Sequence, residues 1–228
     1  MKNSHWAKNL NQGGAALWVA VILIIIIGIA GIVILAQKQE SDNGGSGSSL
    51  LPPITESDLV KGNSGSATIL IEYSDFQCPA CGGYYLLLKK LNEEFGDKIL
   101  FVYRHFPLQQ HKNAKSAAIA SEAAARQGKF WQMHDMIFEN QSEWSEEKNA
   151  EGIFTSYTQN LGLNIEQFKN DLNSQEIKEK IDNDYKGGVR ANVNGTPTFF
   201  LNGKKIITPR NYNEFKQLLQ QAVEKGGN

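Results

Sequence analysis

The chain has 228 residues, with 23 basic and 24 acidic side chains and a formal net charge of −1. Nothing in that balance suggests nucleic-acid binding, and two cysteines are too few for a disulfide framework. The first 36 residues hold Lys2 and Lys8 and no acid, so the remainder carries 21 basic against 24 acidic groups, or −3.

After a short tail (residues 1–14), Ala15–Ala36 is an uncharged apolar run of 22 residues. As a helix it would be about 33 Å long, which matches a bilayer's hydrocarbon thickness, so it predicts one N-terminal transmembrane helix. A cleaved signal peptide would carry a shorter apolar region, about 7–15 residues, and a small-x-small site. Ile34-Leu35-Ala36 lacks that pattern, and an uncleaved anchor is expected. Lys2, Lys8 and the amino terminus precede the run, whereas Lys38, Glu40 and Asp42 follow it as a mixed patch. Basic flanks stay in the cytoplasm, which places residues 37 onward outside. The expected localisation is the cell membrane, single-pass, with the domain on the extracytoplasmic side. Residues 37–54, with the Gly/Ser stretch from Asp42 to Ser49, read as a flexible linker.

Thr68–Ser74 is short and rich in strand formers, and Cys78–Phe95 reads as a helix with Pro79 in its first turn. Lys98–Arg104 is a second strand, which calls for a right-handed crossover and a parallel pair. From about 113 to 190 the pattern turns helical: alanine-rich 114–127, then 129–139 and 150–161. Capping boxes at Asn164–Gln167 and Asn173–Glu176 open two further helices. Thr198–Leu201 and Lys204–Ile207 flank Asn202-Gly203, a type I′ hairpin signal. Asn211–Glu214 then caps a final amphipathic helix. The order β-α-β, helical insert, β-β-α over residues 55–225 predicts an α/β domain.

Cys78-Pro79-Ala80-Cys81 holds both cysteines just after the first strand, where a helix begins. Residues three apart share one helix face, so the two sulfurs can close a disulfide. Cys78 at the N-terminus meets unpaired N–H groups that favour thiolate. Outside the cytosol such a pair persists as a disulfide, and with none left for stapling it reads as reactive.

With the CxxC after the first strand and Gly195-Thr196-Pro197-Thr198-Phe199-Phe200 before the hairpin, the chain resembles the thioredoxin fold. The insert, Asp75-Phe76-Gln77-Cys78-Pro79-Ala80-Cys81 and Gly128-Lys-Phe-Trp-Gln-Met-His-Asp-Met-Ile-Phe138 resemble the DsbA-like thiol–disulfide oxidoreductases. The resemblance implies a redox-active Cys78–Cys81 disulfide, with no other cofactor and no metal. It also implies a cis Thr196–Pro197 peptide facing the cysteines, with substrate backbone bound beside Thr196 and Pro197. Glu72 lies six residues before Cys78, among Ile69, Leu70 and Ile71. The family pattern places a carboxylate at this offset beneath the disulfide, where it assists proton transfer at Cys81.

His105 and His111 complete a C-x2-C-x23-H-x5-H spacing, but that gap exceeds zinc-finger spacing and must hold a strand and a helix. His134 reads as packed or half-exposed, and Trp131 as a core residue rather than the wall of a groove.

The resemblance implies a disulfide oxidase for unfolded exported proteins with free thiols, recycled by a quinone-linked membrane oxidase. Strong oxidants of the family carry histidine where this chain has Ala80, so a reductase or isomerase stays open. A membrane-tethered binding module with inert cysteines is the alternative of another class. No dimerisation segment is found, and the chain is expected to act as a monomer.

Overall fold

Strand β2 (Ile69–Ser74) lies at the middle of the sheet and is buried along nearly its whole length. Its apolar residues cover both faces, as a strand sandwiched between layers requires. A computed structural model of the chain describes residues 51–226. The expected tail 1–14, anchor 15–36 and most of the linker 37–54 lie outside the described residues. Among the described residues, no helix is long and apolar enough to cross a membrane.

Helix α1 (Pro79–Phe95) connects β2 to β3 (Leu100–His105), and the two strands pair in parallel with Ile69 opposite Leu100 and Ser74 opposite His105. Strand β3 starts two residues later than the sequence predicts. Lys98 and Ile99 both donate their N–H groups back to the Phe95 carbonyl, which spends those donors on a turn. On the other side of β2 runs antiparallel β4 (Thr198–Leu201), followed by β5 (Lys204–Lys205). Asn202 and Gly203 have φ of 49° and 78°, the left-handed pair that a type I′ turn demands. The predicted strand 204–207 shortens to its first two residues, although Ile206 still donates to Phe199.

One strand was not expected. β1 (Leu59–Gly62) pairs antiparallel with β3 and completes the order β1-β3-β2-β4-β5 among the described residues. Three of its four residues are exposed, so it carries no inward–outward alternation to read.

Between β3 and β4 the chain is helical: α2 (Ala114–Ala125), α3 (Phe130–Glu139), α4 (Gln141–Trp144), α5 (Glu151–Leu161), α6 (Ile165–Asp171) and α7 (Gln175–Arg190). Helix α8 (Tyr212–Gly226) follows the hairpin. Asn164 caps α6 by accepting from Gln167 N, as expected. The cap of α7 is Ser174, which accepts from Ile177 N, and not Asn173. Asn173 instead donates to the Lys169 carbonyl and belongs to the preceding turn.

Strand alternation sorts the core into two layers. Leu70, Phe101 and Tyr103 face α1 and the insert, joining Leu88, Met133, Ile137, Trp144 and Phe154 in one continuous cluster. Ile71, Tyr73, Leu100 and Val102 face the other way, onto Phe106, Val193 and Phe200. Glu72 shares the strand parity of Leu70, and that places it under α1.

Candidate active site

The segment Asp75–Cys78 turns the chain from β2 into α1. Asp75 is buried, and its Oδ1 accepts from Gln77 N at 2.7 Å, an Asx turn that tightens the bend. Its Oδ2 accepts from Leu108 N at 2.8 Å and lies 2.7 Å from His111 Nδ1, so the loop after β3 holds it. The Asp75 carbonyl accepts from Cys78 N at 3.1 Å. Cys78 is therefore the N-cap of α1, in extended conformation with Pro79 at the first helical position, where a missing N–H costs nothing.

Cys78 is 7% exposed and Cys81 fully buried, both as thiols. The Cys78 thiol donates to the Thr196 carbonyl at 3.4 Å, and the Thr196–Pro197 peptide is cis. Once ionised, Cys78 can only accept. The Cys81 thiol foremost, then the Thr196 hydroxyl and the N–H groups of Cys81 and Ala80, outweigh burial and bring Cys78 down to about 5. The Thr196 hydroxyl is buried without a hydrogen bond of ordinary geometry among the described residues. Cys81 moves the other way, well above the ordinary thiol: burial leads, and the bond it donates to Cys78 and the nearby Glu72 add to it. The pair is polarised into one nucleophilic sulfur at the rim and one protonated sulfur inside.

Glu72 is 3% exposed, and burial pushes its carboxyl up to about 8, the Ser74 hydroxyl opposing and Cys78 adding to the rise. Ser74 Oγ lies near without a hydrogen bond of ordinary geometry, and the Tyr103 hydroxyl, on the residue opposite Glu72 in β3, is likewise buried without a partner among the described residues. Glu72 and Cys81 line one cleft with Tyr85, Phe101, Trp131 and His134. A carboxyl that holds its proton near neutral pH is fitted to give one to Cys81 or to take one from it.

All five residues singled out by sequence thus meet: Cys78, Thr196 and Pro197 at the rim, Cys81 inside and Glu72 beneath. The histidines do not join the cysteines. His105 Nε2 lies 2.9 Å from Glu122, and His111 serves Asp75. His134 is buried among Phe76, Tyr103 and Phe138, and burial lowers its pKa. Trp131 is half-buried rather than fully in the core. It packs on Phe101, donates to the Val60 carbonyl at 3.0 Å and forms a wall of the Glu72 cleft.

Sequence reasoning gave no separate role to Gln77, Asn113 or Gln141, all of which hold the CxxC loop against the insert. Gln77 Oε1 accepts from Asn113 N, Gln77 Nε2 donates to the Ser145 carbonyl, and Gln141 Nε2 donates to the Phe76 and Cys78 carbonyls. The Asp-x-Gln spacing before Cys78 hinted at the Asx turn; nothing local marks Gln141.

A family profile described as Thioredoxin matches residues 55–221. The Na(+)/H(+) antiporter NhaA 1 of Mycolicibacterium gilvum is 39% identical over 169 residues, covering 72% of this chain and 26% of that relative. The chain spans about a quarter of the length of the curated antiporter relatives it matches. Among solved structures it is similar to oxidised BdbD from Bacillus subtilis (TM-score 0.66, 23% identity, 75% of this chain and 96% of that one). It is also similar to alpha-DsbA1 from Wolbachia pipientis (TM-score 0.68, 21% identity, 78% and 96%). A third likeness is to a thioredoxin-like oxidoreductase from Silicibacter pomeroyi (TM-score 0.64, 22% identity, 79% and 99%). These structural neighbours share the sheet with its helical insert.

Proposed function

The chain belongs to the thioredoxin family, and from that premise we propose that it is a DsbA-like thiol–disulfide oxidoreductase that puts disulfides into exported proteins. In this reading residues 15–36 hold it at the membrane, with the domain on the extracytoplasmic side. Ion transport forms no part of the proposal, because the match covers only about a quarter of the antiporters.

The oxidised enzyme carries a Cys78–Cys81 disulfide. A substrate thiolate attacks the Cys78 sulfur; a substrate–Cys78 bond forms, the Cys78–Cys81 bond breaks, and Cys81 leaves with the electron pair. Cys81 takes a proton, which Glu72 supplies. A second substrate thiolate attacks the substrate sulfur of the mixed disulfide and releases Cys78 as thiolate. The substrate loses two electrons and the enzyme gains them. Substrate backbone lies along Thr196 and Pro197, next to the attacked sulfur. A quinone-linked membrane oxidase would take the electrons and restore the disulfide.

The observation that carries this reading is the polarisation of the pair: Cys78 sits at a helix N-terminus with donors around its sulfur, and Cys81 is sealed inside. A stabilised Cys78 thiolate stabilises the reduced enzyme, which makes its disulfide an oxidant. Equilibration with glutathione tests the direction. A potential near about −120 mV supports the oxidase and one near about −270 mV a reductase. Cys78→Ser should abolish thiol oxidation. If the wild type neither oxidises thiols nor exchanges with glutathione, the cysteines are inert and the proposal fails.

A further inference from the structure

We propose that Gln141, carried by the helical insert, is a positioning residue that holds the turn Cys78–Gly82 so that its N–H groups face the Cys78 sulfur. The inference rests on the exchange chemistry proposed above and assigns part of its tuning to a residue 63 positions away in sequence.

Gln141 opens α4, and its Nε2 donates to two carbonyls of the CxxC loop, Phe76 O at 2.6 Å and Cys78 O at 3.0 Å. The Cys78–Pro79 peptide has no N–H, so its carbonyl is the one hydrogen-bonding handle on that unit. That same carbonyl accepts from Gly82 N at 3.1 Å, closing the first turn of α1. A single side-chain amide therefore fixes the peptide plane from which the Ala80 and Cys81 N–H groups are aimed.

Gly82 shows that the amide and the turn are fitted to each other. A Cβ at position 82 would lie 2.6 Å from Gln141 Oε1, 3.2 Å from Cδ and 3.3 Å from Nε2. The carboxamide occupies the space that any side chain at 82 would fill. The segment bearing Gln141 is itself anchored. Asn113 Nδ2 donates to the carbonyls of Trp144, Ser145 and Glu147, and Gln77 Nε2 donates to Ser145 O at 2.7 Å. Trp144, fully buried, donates to the Ile137 carbonyl at 2.8 Å. Gln141 thus presses on the loop from a rigid base, and what it positions is the helix terminus that stabilises the thiolate.

The test uses the full chain and two substitutions, singly and together. Gln141→Met keeps the length of the side chain and removes its donors, and Gly82→Ala displaces the amide from the other side. The readouts are Cys78 ionisation by ultraviolet thiolate absorbance and the reduction potential against glutathione. Gln141→Met should make Cys78 about tenfold less acidic and lower the potential by about 30 mV, the equivalent of that factor for a two-electron couple. Gly82→Ala should shift both in the same direction, and the double variant should do no more than the larger single change, because both act through one contact. A folded Gln141→Met protein whose Cys78 ionises as in the wild type overturns the inference. Should that variant fail to fold, an unshifted Gly82→Ala protein overturns it equally. A wild type inert to glutathione sinks the proposed function instead, while the thiolate titration still decides the role of Gln141.

Discussion

At the level of single residues, Glu72 and Cys78 give the protein opposite responses to acid. Burial raises Glu72 from an ordinary value of 4.5 to about 8, so between those values the folded state holds a proton that the unfolded chain has lost. Its contribution is fully present below 4.5 and disappears as pH rises through 8. Cys78 is lowered from 9.0 to about 5, led by the Cys81 thiol, so its contribution is present above 9.0 and is lost as pH falls through 5. Disulfide formation removes the second effect and leaves the larger, burial part of the first. Glu72 should therefore cost the oxidised protein stability as pH rises from about 4.5 toward 8, at up to about 1.4 kcal/mol per unit. His134, whose burial lowers its pKa, sets the opposite slope against it below 6.5. Glu72→Gln should remove the Glu72 part of that profile, as urea midpoints of variant and wild type across the range would show; the same pH dependence in both proteins would refute it. The placement of Cys78, Cys81, Glu72, Thr196 and Pro197 was legible at this scale because they occupy fixed offsets from a strand and a hairpin. Their supports were not, since His111 meets Asp75 across 36 positions and Gln141 meets Cys78 across 63. No local pattern encodes such partners.

Elements were readable wherever local chemistry decides them. Asn202-Gly203 declares its turn, and Asn211 caps α8 by accepting from Glu214 N, as its spacing suggests. The start of α7 slipped by one residue because Asn173 and Ser174 are both good caps, and tertiary placement chose between them. Ser174→Ala should cost about 1 kcal/mol, whereas Asn173→Ala, which loses only an exposed bond to Lys169, should cost a few tenths. Thermal unfolding of the two variants would show the difference, and equal losses would contradict the assignment. Strand β1 escaped notice for the opposite reason. It exists only through its pairing with β3, Leu59 opposite Tyr103 and Gly62 opposite Leu100, and four mostly exposed residues advertise nothing by themselves.

On the scale of the whole described domain, Arg104 gathers the segment before β1 onto the C-terminal end of β3. Its guanidinium donates to both carboxylate oxygens of Asp58, at 2.7 and 3.0 Å, to the carbonyls of Pro52 and Pro53, and to the Tyr73 hydroxyl. Arg104 and Asp58 are both about 5% exposed or less at their side chains, so removing the cation leaves a buried carboxylate without its charge partner, held only by Thr55. Arg104→Ala should lose about 3–5 kcal/mol of stability. Asp58→Asn together with Arg104→Met should recover part of it, and a denaturant titration of the three proteins would decide. None of this was legible, because an arginine at the end of a strand reads as a solvated end. The outer rims of the sheet carry a different message. β5 is two residues long and both are exposed lysines, and β1 contributes Lys61 to the opposite margin. Short, cationic borders offer no template for another chain's bare amides. In the role proposed above, among unfolded polypeptides, such borders would guard the chain against being recruited into their aggregates.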